Sequence, residues 1–361
     1  MRCALCMPPT DWMSKTSALA AAHAELDALS ARGRAFLGVR YAILGGAMSW
    51  LSERHLVAAT SNCGAFGVIA TGSLSPDELR DEIKGTFART DKPFGVNVII
   101  MHPELNELLQ VCIDEGVGHV VLAGGMPPRA ATDQLKEAGV KIIAFAPTLP
   151  VAKRLMRQGV DAFIIEGMEA GGHTGPVATS VLCQEILPHL RDVPVFVGGG
   201  IGRGDAIALY MEMGAAGCQI GTRFVCASES IAHENFKKII YRAKARDAQL
   251  SVQLDPDFPV IPVRALANKA TEQFFAAQRD AIARYRDGEL DQKEAQLVIE
   301  RFWAGSLRRA VIDGDVEHGS LMAGQSVGMV EREQPVAEII EELMDQAAET
   351  LAGRIGRLST S

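Results

Sequence analysis

The stretch that decides the fold is PVFVGGGIGRGDAIALYMEMGAAGCQIGT, residues 194–222. An apolar run ends in three glycines, a helix-like segment follows, and a second apolar run begins at residue 217. This order predicts a strand, a glycine-rich turn, a helix that begins near Asp205, and a second strand. The turn and the helix end would offer backbone N–H groups to a phosphate. The amide of Gly221 and the hydroxyl of Thr222 would add two further donors.

The same rhythm of short apolar runs and helix-like segments extends back along the chain. The runs that we interpret as strands cover residues 41–47, 65–70, 94–100, 119–125, 141–147, 161–167, 194–200 and 217–224. They are almost continuously apolar, which is typical of a parallel sheet buried on both faces. Eight such strands separated by helices favour a closed (β/α)₈ TIM barrel. The rival, an open doubly wound sheet, is disfavoured because neither GGAMSW nor GGGIGRGD matches its G-x-G-x-x-G fingerprint.

The rhythm also predicts the organisation of the chain into four parts. Residues 1–38 are alanine-rich and form a helical or partly disordered extension, and residues 39–227 form the barrel. Residues 228–312 are charged and helix-like, with helices expected at 228–250 and 265–312, so we interpret them as a helical lobe added after the last strand. Residues 313–361 contain a glycine-rich loop and a final amphipathic helix at about 335–353, which pack on the barrel.

Composition restricts the classes of function. The net charge of −8 over 361 residues argues against a nucleic-acid partner. The sequence has no run of 18 apolar residues and no pattern of a secretory signal, so we expect neither a membrane partner nor secretion. Seven scattered cysteines are typical of reduced thiols in a cytoplasmic protein. Cys3 and Cys6 form a C-x-x-C without a second ligand pair, so we expect no metal site there or elsewhere.

The active site of a TIM barrel lies at the carboxyl ends of its strands, and glycines are common at those ends here. His173 follows Gly171 and Gly172 just beyond the sixth predicted strand, in IIEGMEAGGHTGP (164–176). An ordinary imidazole titrates at about pH 6.5, which suits proton abstraction near neutral pH. We therefore predict His173 to be catalytic or to contact the substrate. The remaining histidines lie in helical or polar contexts and are interpreted as structural: His23, His55, His102, His119, His189, His233 and His318.

Two polar residues at strand ends are further candidates. Glu166 ends the sixth strand and points along the rim, where it could accept hydrogen bonds from ligand hydroxyls. Asn97 lies between valines in the third strand, and its amide needs a hydrogen-bonding partner there. That partner is either a ligand or another group of the core.

Three motifs in this order, EGMEAGGHTG, GGGIGRGDAI and QIGTRFVCASES, resemble the FMN-dependent nitronate monooxygenases, formerly called 2-nitropropane dioxygenases. The same motifs are found in the closely related FMN-dependent enoyl-acyl-carrier-protein reductases. The resemblance covers about residues 40–345 and is specific for the superfamily rather than for one branch. It implies a TIM barrel that binds FMN without a covalent bond at its rim.

The resemblance also implies roles for individual residues, with His173 handling the proton or orienting the substrate. The isoalloxazine would rest on the backbone of Gly46, Ala47 and Met48, and Asn97 and Glu166 would bond polar atoms of the flavin. Gly171 and Gly172 would let the backbone pass close to the flavin. The residues that would cradle the phosphate are Gly199, Gly200, Gly221 and Thr222, with Gln219 nearby. Met322, Gln325 and Ser326 would line the substrate entrance.

The resemblance leaves two activities open. A nitronate monooxygenase would oxidise an alkyl nitronate with O₂ to a carbonyl compound and nitrite. Many members of that branch have glutamine at the position of Glu166, whereas the reductases have glutamate, and the segment GSLRRAVIDGDVEHGSLMAGQSVGMV (305–330) also resembles the reductases. A reductase would use NADH or NADPH and an enoyl thioester. The monooxygenase is our first expectation, an FMN-binding barrel without activity is the least expected, and the oligomeric state, a homodimer included, is left open.

Overall fold

The computed structural model describes residues 9–255, 258 and 260–358. Eight parallel strands form one sheet, and a two-residue strand, β7, lies outside it. In chain order the strands are β1 (Ile43–Gly45), β2 (Gly67–Ala70), β3 (Phe94–Ile99), β4 (His119–Ala123), β5 (Lys141–Phe145), β6 (Ala162–Glu166), β7 (Gly172–His173), β8 (Val195–Gly198) and β9 (Gly217–Ile220). Cys3 and Cys6 lie outside the described residues.

The sheet closes on itself into a barrel. Its strands follow the order β1-β9-β8-β6-β5-β4-β3-β2, so β1 and β2 are the two ends of the path. Phe66, just before β2, joins these ends: its N–H donates to the carbonyl of Ile43 at 2.8 Å and its carbonyl accepts from Gly45 at 2.9 Å. The predicted (β/α)₈ TIM barrel is confirmed.

Helices precede and surround the strands. They are α1 (Pro9–Leu29), α2 (Ala31–Leu37), α3 (Arg54–Asn62), α4 (Pro76–Phe87), α5 (Leu105–Asp114), α6 (Arg129–Glu137), α7 (Leu149–Arg157), α8 (Thr179–Ile186) and α9 (Gly204–Glu212). Ser75 caps α4 because its hydroxyl accepts from the Glu78 N–H, while the Glu78 carboxylate accepts from the Ser75 N–H at 2.7 Å. Among the described residues, no helix has the length and apolar character needed to cross a bilayer.

The barrel interior is a packed apolar core, and its amino end is closed by α2. Large side chains are fully buried inside it, including Ile164 and Phe196 from the strands and Phe66 just before β2. At the amino end, the Nε2 of His119 lies 3.0 Å from the carbonyl of Phe36. Burial lowers the pKa of His119 to about 4, so the ring is neutral at physiological pH and serves packing rather than proton transfer.

The last barrel strand is shorter than the sequence indicates. A strand was expected to run to residue 224, but β9 ends at Ile220 and residues 222–225 form the short helix α10 (Thr222–Val225). The carbonyl of Ile220 accepts from Gly46 at 2.8 Å, and Gly221 then leaves the extended conformation with φ −110° and ψ −71°. The expectation of a longer strand is therefore wrong beyond residue 220.

The segment after the barrel mixes helices with a small antiparallel sheet. Its elements are α11 (Glu234–Arg242), β10 (Ala248–Leu250), β11 (Val263–Leu266), α12 (Lys269–Arg286), α13 (Gln292–Val311), β12 (Leu321–Met322) and α14 (Val336–Leu358). Helix was expected throughout residues 228–250 and 265–312, which is wrong where β10 and β11 form. β11 is the centre of this sheet because it pairs with β10, β12 and β7. The four-part division of the chain stays a prediction.

Candidate active site

The carboxyl ends of β6, β8 and β9 place two predicted residues, Glu166 and Gln219, in one row with Gly198 between them. The strand register aligns Glu166 with Gly198, and Gly198 with Gln219. Gln219 donates from Nε2 to Oε2 of Glu166 at 2.9 Å, across the position of Gly198. A Cβ on Gly198 would lie 3.4 Å from both partners, in van der Waals contact with the hydrogen-bonded side chains. Gln219, expected near the phosphate, thus also holds Glu166.

Glu166 has an unusual protonation equilibrium for a carboxylic acid. Burial raises its pKa from 4.5 to about 7, although the hydrogen bond from Gln219 and the positive charge of His173 both lower it. Near neutral pH the side chain therefore divides between a neutral acid that can donate and a carboxylate that only accepts.

His173 lies on the exposed side of the same rim. It belongs to β7 and is aligned with Val263 of β11, so the sheet of the lobe fixes its backbone. A positive charge on His173 would lower the pKa of Glu166, so the two predicted residues lie within electrostatic range of each other. An exposed imidazole beside a carboxyl group that titrates near pH 7 can exchange protons with a ligand at the rim.

Glu169, in the same loop, has a structural role at the start of α8. Its carboxylate accepts from the backbone N–H of Thr179 at 2.9 Å and from the Thr179 hydroxyl at 2.8 Å. A carboxylate at the first turn of α8 is favoured by the helix dipole. This contact anchors the middle of the loop that carries His173.

Four backbone N–H groups at the ends of β8 and β9 have no protein acceptor within the part of the chain that the structure describes. They belong to Gly199, Gly200, Gly221 and Thr222, the residues predicted to cradle a phosphate. Gly199 and Gly200 have φ values of +96° and +72°, a conformation that favours glycine. Unpaired amides at neighbouring strand ends suit an anionic group.

The amino end of α9 takes less part in this cradle than the sequence indicates. The helix begins at Gly204, and the N–H of Gly204 donates to Oε1 of Gln346 on α14 at 2.8 Å. A Cβ on Gly204 would come within 1.9 Å of the carbonyl of Leu343, so α14 packs directly on this helix end. This N–H is therefore not available to a phosphate.

The turn after β1 is held by a residue that sequence reasoning missed. The Ser52 hydroxyl donates to the carbonyl of Gly46 and accepts from the N–H of Met48, both at 2.9 Å. The N–H of Gly46 is taken by Ile220, whereas the N–H of Ala47 has no acceptor among the described residues. A serine in the sequence SWLS carries no signal for this role.

Asn97 is a largely buried residue at the carboxyl end of a barrel strand. Its residue is 7 % exposed near the carboxyl end of β3. Its side chain makes no hydrogen bond to any group of the described residues. No atom of its amide is among the fully buried polar atoms without a partner, so the amide retains accessible surface near the rim, where a ligand could bond it.

The predicted entrance residues lie along the same rim. The Sδ of Met322 is 3.7 Å from the Cβ position of Gly172, and the N–H of Gln325 donates to the carbonyl of Glu169 at 2.9 Å. Ser326, which is buried, packs beside Gly202 in the turn after β8. Through these contacts, the segment of residues 322–326 crosses the carboxyl ends of β6 and β8.

The same segment, residues 322–326, contacts two further predicted site residues, Gly171 and Thr222. A Cβ on Gly171 would come within 2.6 Å of the backbone at Ala323 and Gly324, so the segment itself requires glycine at 171. The Thr222 hydroxyl accepts from the N–H of Gly324 at 2.9 Å and keeps its own proton for donation. The close passage of a flavin at Gly171 and Gly172 stays a prediction.

Comparison with known proteins points to one family. The model of the family described as nitronate monooxygenase matches residues 31–346. One relative, from Mycobacterium tuberculosis, is 29 % identical over 85 % of this chain and 93 % of the relative's length. It is named (3aS,4S,5R,7aS)-5-hydroxy-7a-methyl-1-oxo-octahydro-1H-indene-4-carboxyl-CoA dehydrogenase. A nitronate monooxygenase of Paraburkholderia phytofirmans is 26 % identical, over 85 % of this chain and 92 % of its own. The structure of FabK from Thermotoga maritima superposes with a TM-score of 0.79 at 36 % identity and covers 90 % of this chain and 98 % of that one.

Proposed function

This chain belongs to the nitronate monooxygenase family and is a flavin-dependent oxidoreductase; we propose that its flavin is FMN and its substrates are alkyl nitronates and O₂. The products would be a carbonyl compound and nitrite. The observation that carries the proposal is the position of His173 and Glu166 beside a set of unpaired amide donors. The relative from Paraburkholderia phytofirmans, named a nitronate monooxygenase, supports the choice of substrate.

The residues at the rim fit an FMN. Its phosphate would be held by the amides of Gly199, Gly200, Gly221 and Thr222, which lack protein acceptors among the described residues. The side-chain amide of Asn97 would form a hydrogen bond with a polar atom of the flavin. Glu166 would bond the flavin as a donor when its carboxyl group is protonated and as an acceptor when it is ionised. When bound, FMN supplies the transfer of electrons between the substrate and O₂.

The side chains of the protein would contribute by binding the anionic substrate and by transferring a proton. A nitronate carries negative charge on its oxygens, and an exposed imidazole can donate a hydrogen bond to them. With a neutral nitroalkane, the same imidazole could remove the proton from the carbon beside the nitro group. Glu166 would stabilise the charged imidazole when its own carboxyl group is ionised.

A second candidate is the reduction of an enoyl thioester by NADH or NADPH. Two observations favour it: Glu166 stands where many nitronate monooxygenases have glutamine, and the relative from Mycobacterium tuberculosis is named for a CoA ester. In this function His173 would polarise the thioester carbonyl or donate a proton to the reduced chain.

One experiment separates the two candidates. The purified oxidised flavoprotein is mixed without oxygen with propionate 3-nitronate, NADH or NADPH, and flavin absorbance is followed. We expect the nitronate alone to bleach the flavin rapidly and the nucleotides to act slowly. Rapid bleaching by a nucleotide, with none by the nitronate, would overturn the proposal in favour of the thioester reductase. A colourless protein that does not bind added FMN would contradict both.

A further inference from the structure

Arg264 on β11 connects the lobe to the loop that carries His173. In the pairing of β7 with β11 it lies opposite Gly172, and its neighbour Val263 lies opposite His173. Its Nε donates to the carbonyl of Met168 at 2.9 Å, and its Nη1 donates to the carbonyl of Ala248. One side chain therefore bonds both the loop after β6 and the outer strand β10.

Arg264 carries a charge whose burial costs free energy. The residue is 4 % exposed, and no carboxylate among the described residues forms an ion pair with it. Burial lowers the pKa of its guanidinium, and only the charge of Glu169 raises it. Burying a charge without an opposite charge beside it costs free energy, even where hydrogen bonds to carbonyl groups offset part of that cost. The charge at this position therefore points to a purpose other than stability.

The loop between Glu166 and His173 contains three glycines, which have no side chain with which to anchor it. Gly167, Gly171 and Gly172 lie within it, and Gly172 has a φ of +77°. Backbone contacts hold its first half, where the Met168 N–H donates to Val177 at 2.8 Å and Glu169 accepts from Gln325. Arg264 adds a side chain that links Met168 with the strand opposite His173.

We propose that Arg264 is a positioning residue that fixes His173 relative to Glu166 by joining the carbonyl of Met168 to the lobe sheet. This inference rests on the proposed function, in which His173 meets the substrate. A catalytic group displaced by about 1 Å can cost roughly 100-fold in rate, so one lost anchor is enough to matter.

The test uses the flavin-loaded full chain with R264M and R264K. We expect R264M to keep its flavin, because the cradle at β8 and β9 is untouched, and to lose roughly 10- to 100-fold in kcat with little change in KM. R264K should recover part of the rate because an ammonium can still donate to Met168. The matched control is R54M, which breaks an ion pair of 2.7 Å with Glu82 on the outer helices and should lower stability without changing kcat.

A second measurement does not depend on turnover. Backbone hydrogen exchange in a peptide covering residues 167–173 should speed up in R264M, while a peptide covering residues 221–225 keeps its wild-type rate. Wild-type kcat in R264M, or an effect confined to KM, would overturn the positioning role. If the wild-type protein itself ignores nitronates, the proposed function fails. The same variants are then compared by nucleotide-driven flavin reduction and by hydrogen exchange, which still decide the role of Arg264.

Discussion

At the scale of single residues, Glu166 sets the pH dependence of the site. Its pKa in the folded protein is about 7, against 4.5 for an ordinary glutamate. The folded state therefore keeps a proton between these values that the unfolded state has lost. The contribution of Glu166 to stability is therefore greatest below pH 4.5 and falls as pH rises to about 7, by on the order of 3 kcal/mol.

E166Q should remove this dependence because its amide does not titrate. Urea unfolding of flavin-free wild type and E166Q at several pH values measures the difference in the free energy of unfolding. We expect the free energy of unfolding of E166Q to rise relative to that of wild type between pH 4.5 and about 7. Above that range the difference should stay constant. A difference that stays constant with pH would show that Glu166 is solvated like an ordinary carboxyl group.

His173 should affect turnover but not cofactor binding. Because the imidazole lies at the exposed rim and the unpaired amides belong to other strand ends, H173N should keep bound FMN. Loss of the group that handles the proton should lower kcat/KM by about 100- to 10,000-fold. Steady-state kinetics with the best substrate measure this effect, and H55N, which changes an exposed histidine on α3, is the matched control. Equal kcat/KM in H173N and wild type would remove His173 from the mechanism.

The sequence predicted the positions of candidate residues at the rim, whose roles stay predictions, and missed residues that are defined by distant contacts. Glu166 and Asn97 were predicted because each ends or interrupts an apolar run of a strand, and His173 was predicted because it follows two glycines just beyond the sixth strand. The bond between Glu166 and Gln219 joins residues 53 apart in sequence, and no local pattern announces it. Arg264 had one signal, a charged residue inside the apolar run VRAL, but its partners at Met168 and Ala248 could not be inferred.

At the scale of elements, the segment from 322 to 326 requires glycine where it crosses the loop after β6. G171A would place a Cβ within 2.6 Å of the backbone at Ala323 and Gly324, and backbone cannot yield as a flexible side chain can. We expect a loss of roughly 1–3 kcal/mol in the free energy of unfolding, together with reduced kcat/KM as the entrance shifts. Urea unfolding and steady-state kinetics measure the two effects.

G175A provides the control for this change. Its Cβ would meet nothing within 4 Å, and Gly175 lies in the same glycine-rich stretch without a positive φ. It should leave both stability and kcat/KM close to wild type. If G171A behaved like G175A, the segment would not lie against Gly171 in solution.

Elements whose pattern is local were predictable, and elements stabilised from elsewhere were not. All eight barrel strands were found because a parallel strand buried on both faces has a nearly continuous apolar sequence. The capping box at Ser75 was found because its two partners are three residues apart. The strands β10 and β11 were missed, since each exists through pairing with a distant segment. Helix α10 was missed because its apolar residues continue the pattern of β9.

At the scale of the whole molecule, charge explains how an acidic protein could bind an anionic cofactor. The chain carries a net charge of −8. The two arginines that flank the proposed cradle are already paired: Arg203 lies 2.8 Å from Asp205, and Arg223 lies 3.1 Å from Glu342. The phosphate would therefore be held by neutral amide dipoles rather than by free cations.

This arrangement predicts an affinity for FMN that depends little on salt. Flavin-free protein is titrated with FMN at about 50 and about 500 mM NaCl while flavin fluorescence is followed. Since Coulombic attraction to free cations contributes little, Kd should change by less than roughly threefold. Riboflavin, which lacks the phosphate, should bind at least about 100-fold more weakly, because hydrogen bonds to a charged group contribute about 1.5–3 kcal/mol each. A steep loss of FMN affinity with salt would assign the phosphate to lysine or arginine, and equal affinity for riboflavin would remove it from the cradle altogether.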